Sequence, residues 1–192
     1  MPLRREELPR NDARGEETVN EERAMQISMY AASVPVFAKM LGNLSAILDK
    51  AAAYAEQKKI DPAVLLDARL YPDMFPLTKQ VRIACDFAKG AVARLAGEEP
   101  PKYEDTETTI ADLKARIART IDYIQGFRAE RFEGAETREV ELKIRGETMK
   151  YPGLTYLLHV ATPNFYFHVT TAYGILRHNG VELGKRDFIG RT

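Results

Sequence analysis

Three histidines are the side chains best able to do chemistry in this 192-residue sequence, because imidazole takes up protons and binds metals near neutral pH. They are His159, His168 and His178, and the first 158 residues contain no histidine. His168 and His178 are ten residues apart, which corresponds to about 15 Å along a helix. One metal ion cannot bind both on a straight helix, so a dedicated three-histidine site within one chain is excluded.

The surroundings of the three histidines differ. His168 ends the aromatic run FYFH, and we expect it to face an interior cavity, where a structural and a functional role are equally well supported. His159 follows the apolar run YLL, which predicts a partly buried histidine. His178 precedes Asn179 and a glycine at a predicted helix end, where a charged imidazole favours the helix dipole.

Other motifs that carry chemistry are absent from the sequence. It has no glycine-rich phosphate loop, no cysteine pair and no serine nucleophile elbow. The single cysteine, Cys85, lies in the helical-looking run VRIACDFAKGA, which favours a small buried residue over a reactive thiol. The sequence therefore names no reaction.

Helices with an apolar residue every three or four positions must hold these side chains. Thr109 and Asp112 form a start that resembles a capping box, and Asp61 followed by Pro62 predicts a short helix that ends near Ala68. Four long helices with modest connections predict an all-α four-helix bundle. They cover about residues 28–58, 75–96, 109–124 and 154–178.

Charged residues on the third long helix lie opposite its apolar stripe. They are Lys114, Arg116 and Arg119, and we expect all three to face solvent. Apolar and charged residues alternate in REVELKIRGETMKY, which predicts a small β-hairpin before the last helix. Because an isolated hairpin is marginally stable, it must pack on the bundle or on a partner chain. The final run VELGKRDFIGRT has no clear period, and we expect an ordered tail over the bundle or against a neighbour.

Composition excludes several classes of protein. Lys plus Arg equals Asp plus Glu at 28 each, which argues against a nucleic-acid binder. No apolar run approaches the ~20 residues of a membrane span, and no secretory signal is present, so we expect a cytoplasmic protein. Residues 1–24 are rich in charged side chains, which predicts a disordered tail. Met25 begins the first stretch with the pattern of a folded segment, so it is an open question whether residues 1–24 are translated in the native protein. Residues 25–192 are predicted to form one domain.

Four stretches of the sequence resemble the DinB/YfiT-like superfamily and, within it, an uncharacterised bacterial family defined by a domain of unknown function. With their spacing they span nearly all of residues 26–190. The resemblance implies a four-helix bundle of the up-down-down-up type that is often dimeric, so we expect a homodimer. The stretches are SMYAASVPVFAKMLGNLSAILDKA, ARLYPDMFPLTKQV, PNFYFHVTTAYGILRHNGV and GKRDFIG.

The resemblance also implies where a site would lie. Metal-binding members of the superfamily use one histidine of the second helix and two, four residues apart, of the last helix. These positions fall on Gln80, Asn164 and His168 here, although the match at Gln80 is loose by a turn. Amides are poor ligands for softer divalent metals, so we expect a degenerate site that holds no metal, or holds one weakly. The candidate pocket residues are Gln80, Asn164, His168, Tyr166 and Asp73, with Asp86 as an alternative carboxylate.

Three functions remain open on this basis. The first is a polar site for a small molecule, without a tightly bound metal. The second is a non-enzymatic dimeric bundle whose polar residues satisfy each other in the core. The third is a metal-dependent thiol transferase or hydrolase with unusual ligands. The sequence assigns no cofactor.

Overall fold

A computed structural model of the chain describes residues 27–144 and 146–190, without the side chain of Ile144. The predicted tail, residues 1–24, lies outside the described residues. The four long helices, α1, α3, α4 and α5, form the predicted bundle, and a two-stranded hairpin precedes α5. The elements are α1 (Met29–Lys58), α2 (Pro62–Asp67), α3 (Leu77–Leu95), α4 (Ile110–Gln125), a 3₁₀ turn (Ala129–Phe132), β1 (Glu139–Ile144), β2 (Glu147–Pro152), α5 (Thr162–His178) and α6 (Lys185–Ile189).

Helix α1 is the central apolar rod of the bundle. It begins where the Ser28 side chain accepts a hydrogen bond from the Ala31 N–H at 3.1 Å. It is also long and apolar enough to cross a membrane, with a mean hydropathy of 1.4 over its most apolar window. This corrects the expectation that no apolar run approaches the length of a membrane span. Phe37, Leu41 and Leu44 on this helix are fully buried against the other helices, so α1 is a core helix.

Helix α4 begins with the predicted capping box. The Asp112 carboxylate accepts from the Thr109 N–H at 2.9 Å, and the Thr109 hydroxyl accepts from the Asp112 N–H at 3.1 Å. Asp112 thus accepts the hydrogen bond that a Glu or Gln side chain usually accepts in this motif. The box fixes where the chain turns into α4.

The second long helix, α3, lies between α4 and α5 and packs most extensively on α5, whereas α1 packs mainly on α4. The residues after α5 fold back on α1 and not away from the bundle. The Asn43 side chain of α1 donates to the Phe188 carbonyl at 3.0 Å, and Lys50 pairs with Asp187 at 2.7 Å. Because α3 and α5 share the most extensive contact of the bundle, side chains from both helices can combine into a site at their interface.

The hairpin confirms the predicted alternation. Val140 pairs with Tyr151 and Leu142 pairs with Met149. Val140 is buried and Tyr151 half-buried, while Met149 is exposed. The end of the hairpin near α5 thus packs on the bundle, and the turn end projects from it.

A π-helical segment joins the hairpin to α5. A single helical turn, Gly153–Thr155, leads into the π segment Tyr156–Ala161, which continues directly into α5. Pro163, at the start of α5, has no N–H to donate to the previous turn, and a widened turn accommodates its ring. His159 lies in the π segment and is exposed, so the prediction that it is partly buried is wrong.

Candidate functional site

His168 is a buried imidazole at the interface between α3 and α5. Its neighbours on the inner face of α5, Phe165 and Val169, are fully enclosed, and His168 itself is 8% exposed. It reaches across to Gln80 on α3, which is 1% exposed. The Nδ1 atom of His168 lies 2.7 Å from the Oε1 atom of Gln80.

The direction of this hydrogen bond follows from the other contact of Gln80. Its Nε2 atom donates to the Phe75 carbonyl at 3.0 Å, so the amide oxygen is left to accept. The His168 Nδ1 atom must therefore carry the proton, and the neutral ring keeps its lone pair on Nε2. This assignment rests on the hydrogen-bond network.

Two aromatic rings hold the His168 ring in place. Phe87 of α3 stacks on it with centroids 5.9 Å apart and planes 17° apart, and Phe167 meets it edge-on at 5.2 Å. Burial lowers the pKa of His168 below its ordinary value of 6.5, because a desolvated imidazole resists protonation. The ring is therefore neutral at pH 7.

The second ring nitrogen of His168 is not fully enclosed. Among the described residues, Nε2 of His168 has no hydrogen-bond partner, and Arg116 Nε is the one side-chain nitrogen or oxygen that is both enclosed and unpartnered. Nε2 is consequently not sealed in the core. The adjacent Phe167, which meets the His168 ring edge-on, is 57% exposed, so an apolar ring lies at the surface beside the imidazole.

The other predicted pocket residues lie in varied surroundings. Asn164 is half-buried one turn before His168, and its side chain donates to the Val160 carbonyl at 2.6 Å within the π segment. Tyr166 is half-buried against Phe165, and burial raises its pKa. Asp73 is exposed. The structure thus joins Gln80 to His168, whereas the hydrogen bonds of Asn164 stay within its own helical run.

Asp86, the alternative carboxylate, belongs to a different cluster. It pairs with Lys89 at 2.6 Å and with Arg116 at 3.0 Å. Its charge is therefore already balanced by two cations. It does not serve the site at His168.

These donors do not fit a tightly bound metal. One imidazole nitrogen is free, the Gln80 oxygen accepts from His168, and the Asn164 amide contributes a weak oxygen at most. Within residues 27–144 and 146–190, no group of three or more His, Cys, Asp or Glu side chains could hold a metal ion. A structural or catalytic zinc site takes three or four N, S or O ligands from the protein. Gln80, Asn164 and His168 therefore do not form such a ligand set.

A second polar cluster, which sequence reasoning missed, surrounds Arg116 on α4. Arg116 is 4% exposed, so the prediction that it faces solvent is wrong. Its guanidinium pairs with Glu107 at 2.9 Å, Asp105 at 3.1 Å and Asp86 at 3.0 Å. These acids lie in the connection before α4 and on α3, and the sequence gives no sign that they converge.

The Arg116 cluster holds the connection between α3 and α4 against the bundle. Glu107 also accepts from Arg82 at 2.6 Å, and Arg116 donates to the Glu104 carbonyl at 3.1 Å. Although burial alone would raise it, the hydrogen bond from Arg116 holds the pKa of Glu107 below its ordinary value. The charged form of Glu107 is therefore stabilised.

Cys85 lies under this cluster and is fully buried, as predicted. Burial raises the pKa of its thiol to about 12. In the folded state the thiol is therefore protonated and unreactive.

Comparisons with known proteins match most of the chain. A family model described as a domain of unknown function (DUF1993) matches residues 29–189. The chain is also similar to the crystal structure of a DinB family member from Shewanella denitrificans, with 48% sequence identity and a TM-score of 0.79. That alignment covers 85% of this chain and 93% of the other. No curated protein matches the chain.

Proposed function

This chain belongs to the DUF1993 family of DinB-like proteins, and we propose that it binds a small molecule at the His168–Gln80 pair without a tightly bound metal. The observation that carries the proposal is the ordered hydrogen-bond chain from His168 through Gln80 to the Phe75 carbonyl. It leaves one unpaired acceptor, Nε2 of His168, that is not fully enclosed at the interface between α3 and α5. Binding sites characteristically combine a few fixed polar groups with apolar walls.

The chemistry of this acceptor defines the ligand. A neutral imidazole with its lone pair on Nε2 accepts a hydrogen bond from an O–H or N–H group. Phe167 offers an apolar surface beside it. His168 lines none of the five open depressions of about 420 to 800 Å³ found on the described residues. A ligand at Nε2 is therefore one small enough to bind without a deep pocket.

The donor set favours this proposal over a metalloenzyme. A metal at His168 would have one imidazole and neutral amide oxygens as ligands, which compete poorly for zinc, nickel or iron. Among the described side chains, no hydroxyl or thiol is hydrogen-bonded to His168 as a nucleophile would be to its base. Binding, without an assigned reaction, is the function that the geometry supports best.

Calorimetric titration of the purified protein with hits from a thermal-shift screen of small alcohols, amides and thiols tests this proposal. We expect His168→Ala to weaken binding at least ~10-fold, because a buried hydrogen bond is lost. His159→Ala, on the exposed part of the same helical run, is the matched control and should bind normally. His168→Gln, which retains size and polarity, replaces the alanine variant if the latter does not fold. Unchanged affinity in the His168 variant would refute the assignment.

A second observation supports the non-enzymatic alternative of a dimeric bundle. Residues 151–176 contain no Asp, Glu, Lys or Arg, in a chain that is 29% charged overall. Leu154, Leu158 and Phe167 of this stretch are 45%, 50% and 57% exposed. Leu154 and Leu158 lie one helical turn apart, and we define these two side chains as the uncharged outer face and propose that a second copy of the chain covers it. Two copies related by a two-fold axis would meet there without like-charge repulsion.

A further inference from the structure

Two unpaired acceptors lie on the face of α5 that carries His168. The first is Nε2 of His168, because Nδ1 donates its proton to Gln80. The second belongs to Asn164, one turn earlier on the same face. Its Nδ2 atom donates to the Val160 carbonyl at 2.6 Å, so its Oδ1 atom is left to accept. Neither acceptor has a partner among the described residues, and neither is fully enclosed. A ligand on this face therefore has to supply the hydrogen-bond donors.

The immediate surroundings of His168 carry no charge. Residues 151–176 contain no Asp, Glu, Lys or Arg. The Gln80, Phe87 and Phe167 side chains, which contact the His168 ring from both helices, are also uncharged. Burial alone shifts the pKa of His168, so no charged group of the described chain lies near enough to add to the shift. An ion bound at Nε2 would find no countercharge there.

The charged side chains of α3, the helix that faces His168, are each engaged by another group. The cations and their partners are Lys79 over the Phe75 ring at 3.7 Å from its centroid, Arg82 with Glu107 at 2.6 Å, Lys89 with Asp86 at 2.6 Å, and Arg94 with the Tyr156 hydroxyl at 3.3 Å. Asp86, the one carboxylate of the helix, also pairs with Arg116 at 3.0 Å. These contacts turn the charges of α3 away from His168.

A site of this kind distinguishes ligands by charge. A carboxylate would bring further lone pairs against the lone pair of Nε2, and neither group could donate. An ammonium group could donate, but it would lose part of its hydration without gaining a carboxylate in return. An uncharged O–H or N–H group makes the hydrogen bond without either cost.

We propose that the ligand of this site is an uncharged hydrogen-bond donor on a small apolar body, such as an alcohol or an amide, and that the site discriminates against carboxylates and ammonium ions of the same shape. This inference rests on the function proposed above and adds the chemical class of the ligand. Phe167 helps to set this specificity, because it is an uncharged, 57% exposed side chain in contact with the imidazole. A cation in its place would favour anions.

Titration of the protein with benzyl alcohol, benzoate and benzylammonium at pH 7 tests the charge selection, since the three probes share one ring and differ in one substituent. Binding is followed by the ¹⁵N shift of Nε2 of His168. We expect benzyl alcohol to shift this nitrogen and both ions to bind at least ~10-fold more weakly. His159 and His178 are exposed on the same helical run, and their signals in the same spectra report non-specific binding.

A charge introduced at position 167 should change the selection. We expect Phe167→Lys to raise the affinity for benzoate relative to benzyl alcohol about 3-fold or more, because a cation then lies beside Nε2. Thr170→Lys adds the same charge at an exposed position of α5 that points to another side of the helix, and it should leave the ratio unchanged.

The outcomes separate this inference from the function on which it rests. Benzoate or benzylammonium that binds at Nε2 as tightly as benzyl alcohol would overturn the charge selection and leave small-molecule binding at His168 intact. A ratio that changes equally in Phe167→Lys and Thr170→Lys would overturn the role of Phe167. No shift of Nε2 with any of the three probes would count against both the ligand class and the site.

Discussion

Single residues decide the chemistry of this molecule, and Gln80 decides that of His168. Its amide nitrogen donates to the Phe75 carbonyl, which leaves its oxygen to accept from Nδ1 of His168. The residue type at position 80 therefore decides how the imidazole is oriented and which of its nitrogens carries the proton.

The pKa of His168 should depend on the charge at position 80. In the unmodified protein, burial lowers this pKa below 6.5, and an NMR titration of the imidazole should show a midpoint below that value. Gln80→Glu places a carboxylate against Nδ1 and should raise the midpoint above 6.5, because an opposite charge favours the imidazolium. Gln80→Leu removes the hydrogen bond without adding charge and should keep the midpoint low.

The same substitution should reverse the contribution of His168 to the pH dependence of stability. In the unmodified protein, His168 takes up a proton at a higher pH in the unfolded chain than in the folded one. Its contribution to the free energy of unfolding therefore falls as the pH drops below 6.5. With glutamate at position 80 the folded state binds the proton more tightly, and the contribution grows as the pH falls toward 6.5. Urea denaturation at pH 5.5 and 7.5 measures both, and equal pH dependence in the two proteins would contradict the account.

Arg116 shows what a sequence pattern cannot reveal. Its spacing from Leu113 and Thr120 puts it on the buried face of α4, but its charge led to the prediction of an exposed residue. Burial is tolerated because Glu107 and Asp86 reach it from other elements. The positions of those acids depend on the tertiary fold, which the periodicity of one helix does not contain.

Loss of Arg116 should therefore destabilise the fold. We expect Arg116→Met to lower the free energy of unfolding by about 3 kcal/mol, since it leaves Glu107 with one cationic partner in place of two. This is at the low end for a broken buried ion pair, because Asp86 and Asp105 reach water. Lys114→Met on the same helix removes an exposed pair with Asp49 and should cost less than about 1 kcal/mol. Similar urea midpoints for the two variants would show that burial of Arg116 does not matter.

At the scale of elements, the sequence predicted the helix starts better than the last helical run. Helices α2 and α4 begin at cap residues whose side chains bond to the backbone as predicted, namely Asp61 and Thr109. Ser28 caps α1 in the same way, which was not predicted. The π segment was not predicted, because Pro163 alone is compatible with a kink, a break or a widened turn. Helix α6 has five residues, too few to show a period.

The junction between β2 and the last helical run depends on Gly153. A Cβ atom there would lie 1.9 Å from the Ala135 carbonyl oxygen, so the backbone would have to move. We expect Gly153→Ala to lower the free energy of unfolding by about 1 to 3 kcal/mol. Gly42→Ala, in an exposed turn of α1 with nothing within 4 Å, should raise it by about 0.5 to 1 kcal/mol. Urea denaturation should give opposite signs, and stabilisation by both substitutions would contradict the predicted clash.

At the scale of the whole molecule, the bundle, its hairpin and the family were predictable from sequence. The predicted tail and domain boundary stay predictions, because residues 1–24 lie outside the described residues. The homodimer also stays a prediction, which the uncharged outer face supports. An apolar surface of this kind is most stable when another surface covers it.

The oligomeric state should depend on Leu158. Sedimentation velocity at micromolar concentration should show a dimer, and Leu158→Glu should shift it to monomer, because two buried carboxylates would oppose each other across the two-fold axis. Val64→Glu is the control, since Val64 is 59% exposed on α2, away from the proposed interface. A monomeric unmodified protein, or a dimer that survives Leu158→Glu, would refute this interface.

We propose that Gln80 holds His168 as a neutral imidazole whose Nε2 is free for a small molecule and does not serve a metal. Long-range ¹H–¹⁵N NMR spectra of the imidazole at pH 7, recorded with and without one equivalent of Zn²⁺, test it most directly. We expect a protonated Nδ1, an unprotonated Nε2 and no change with zinc. A proton on Nε2, or a shift of that nitrogen by equimolar zinc, would contradict it.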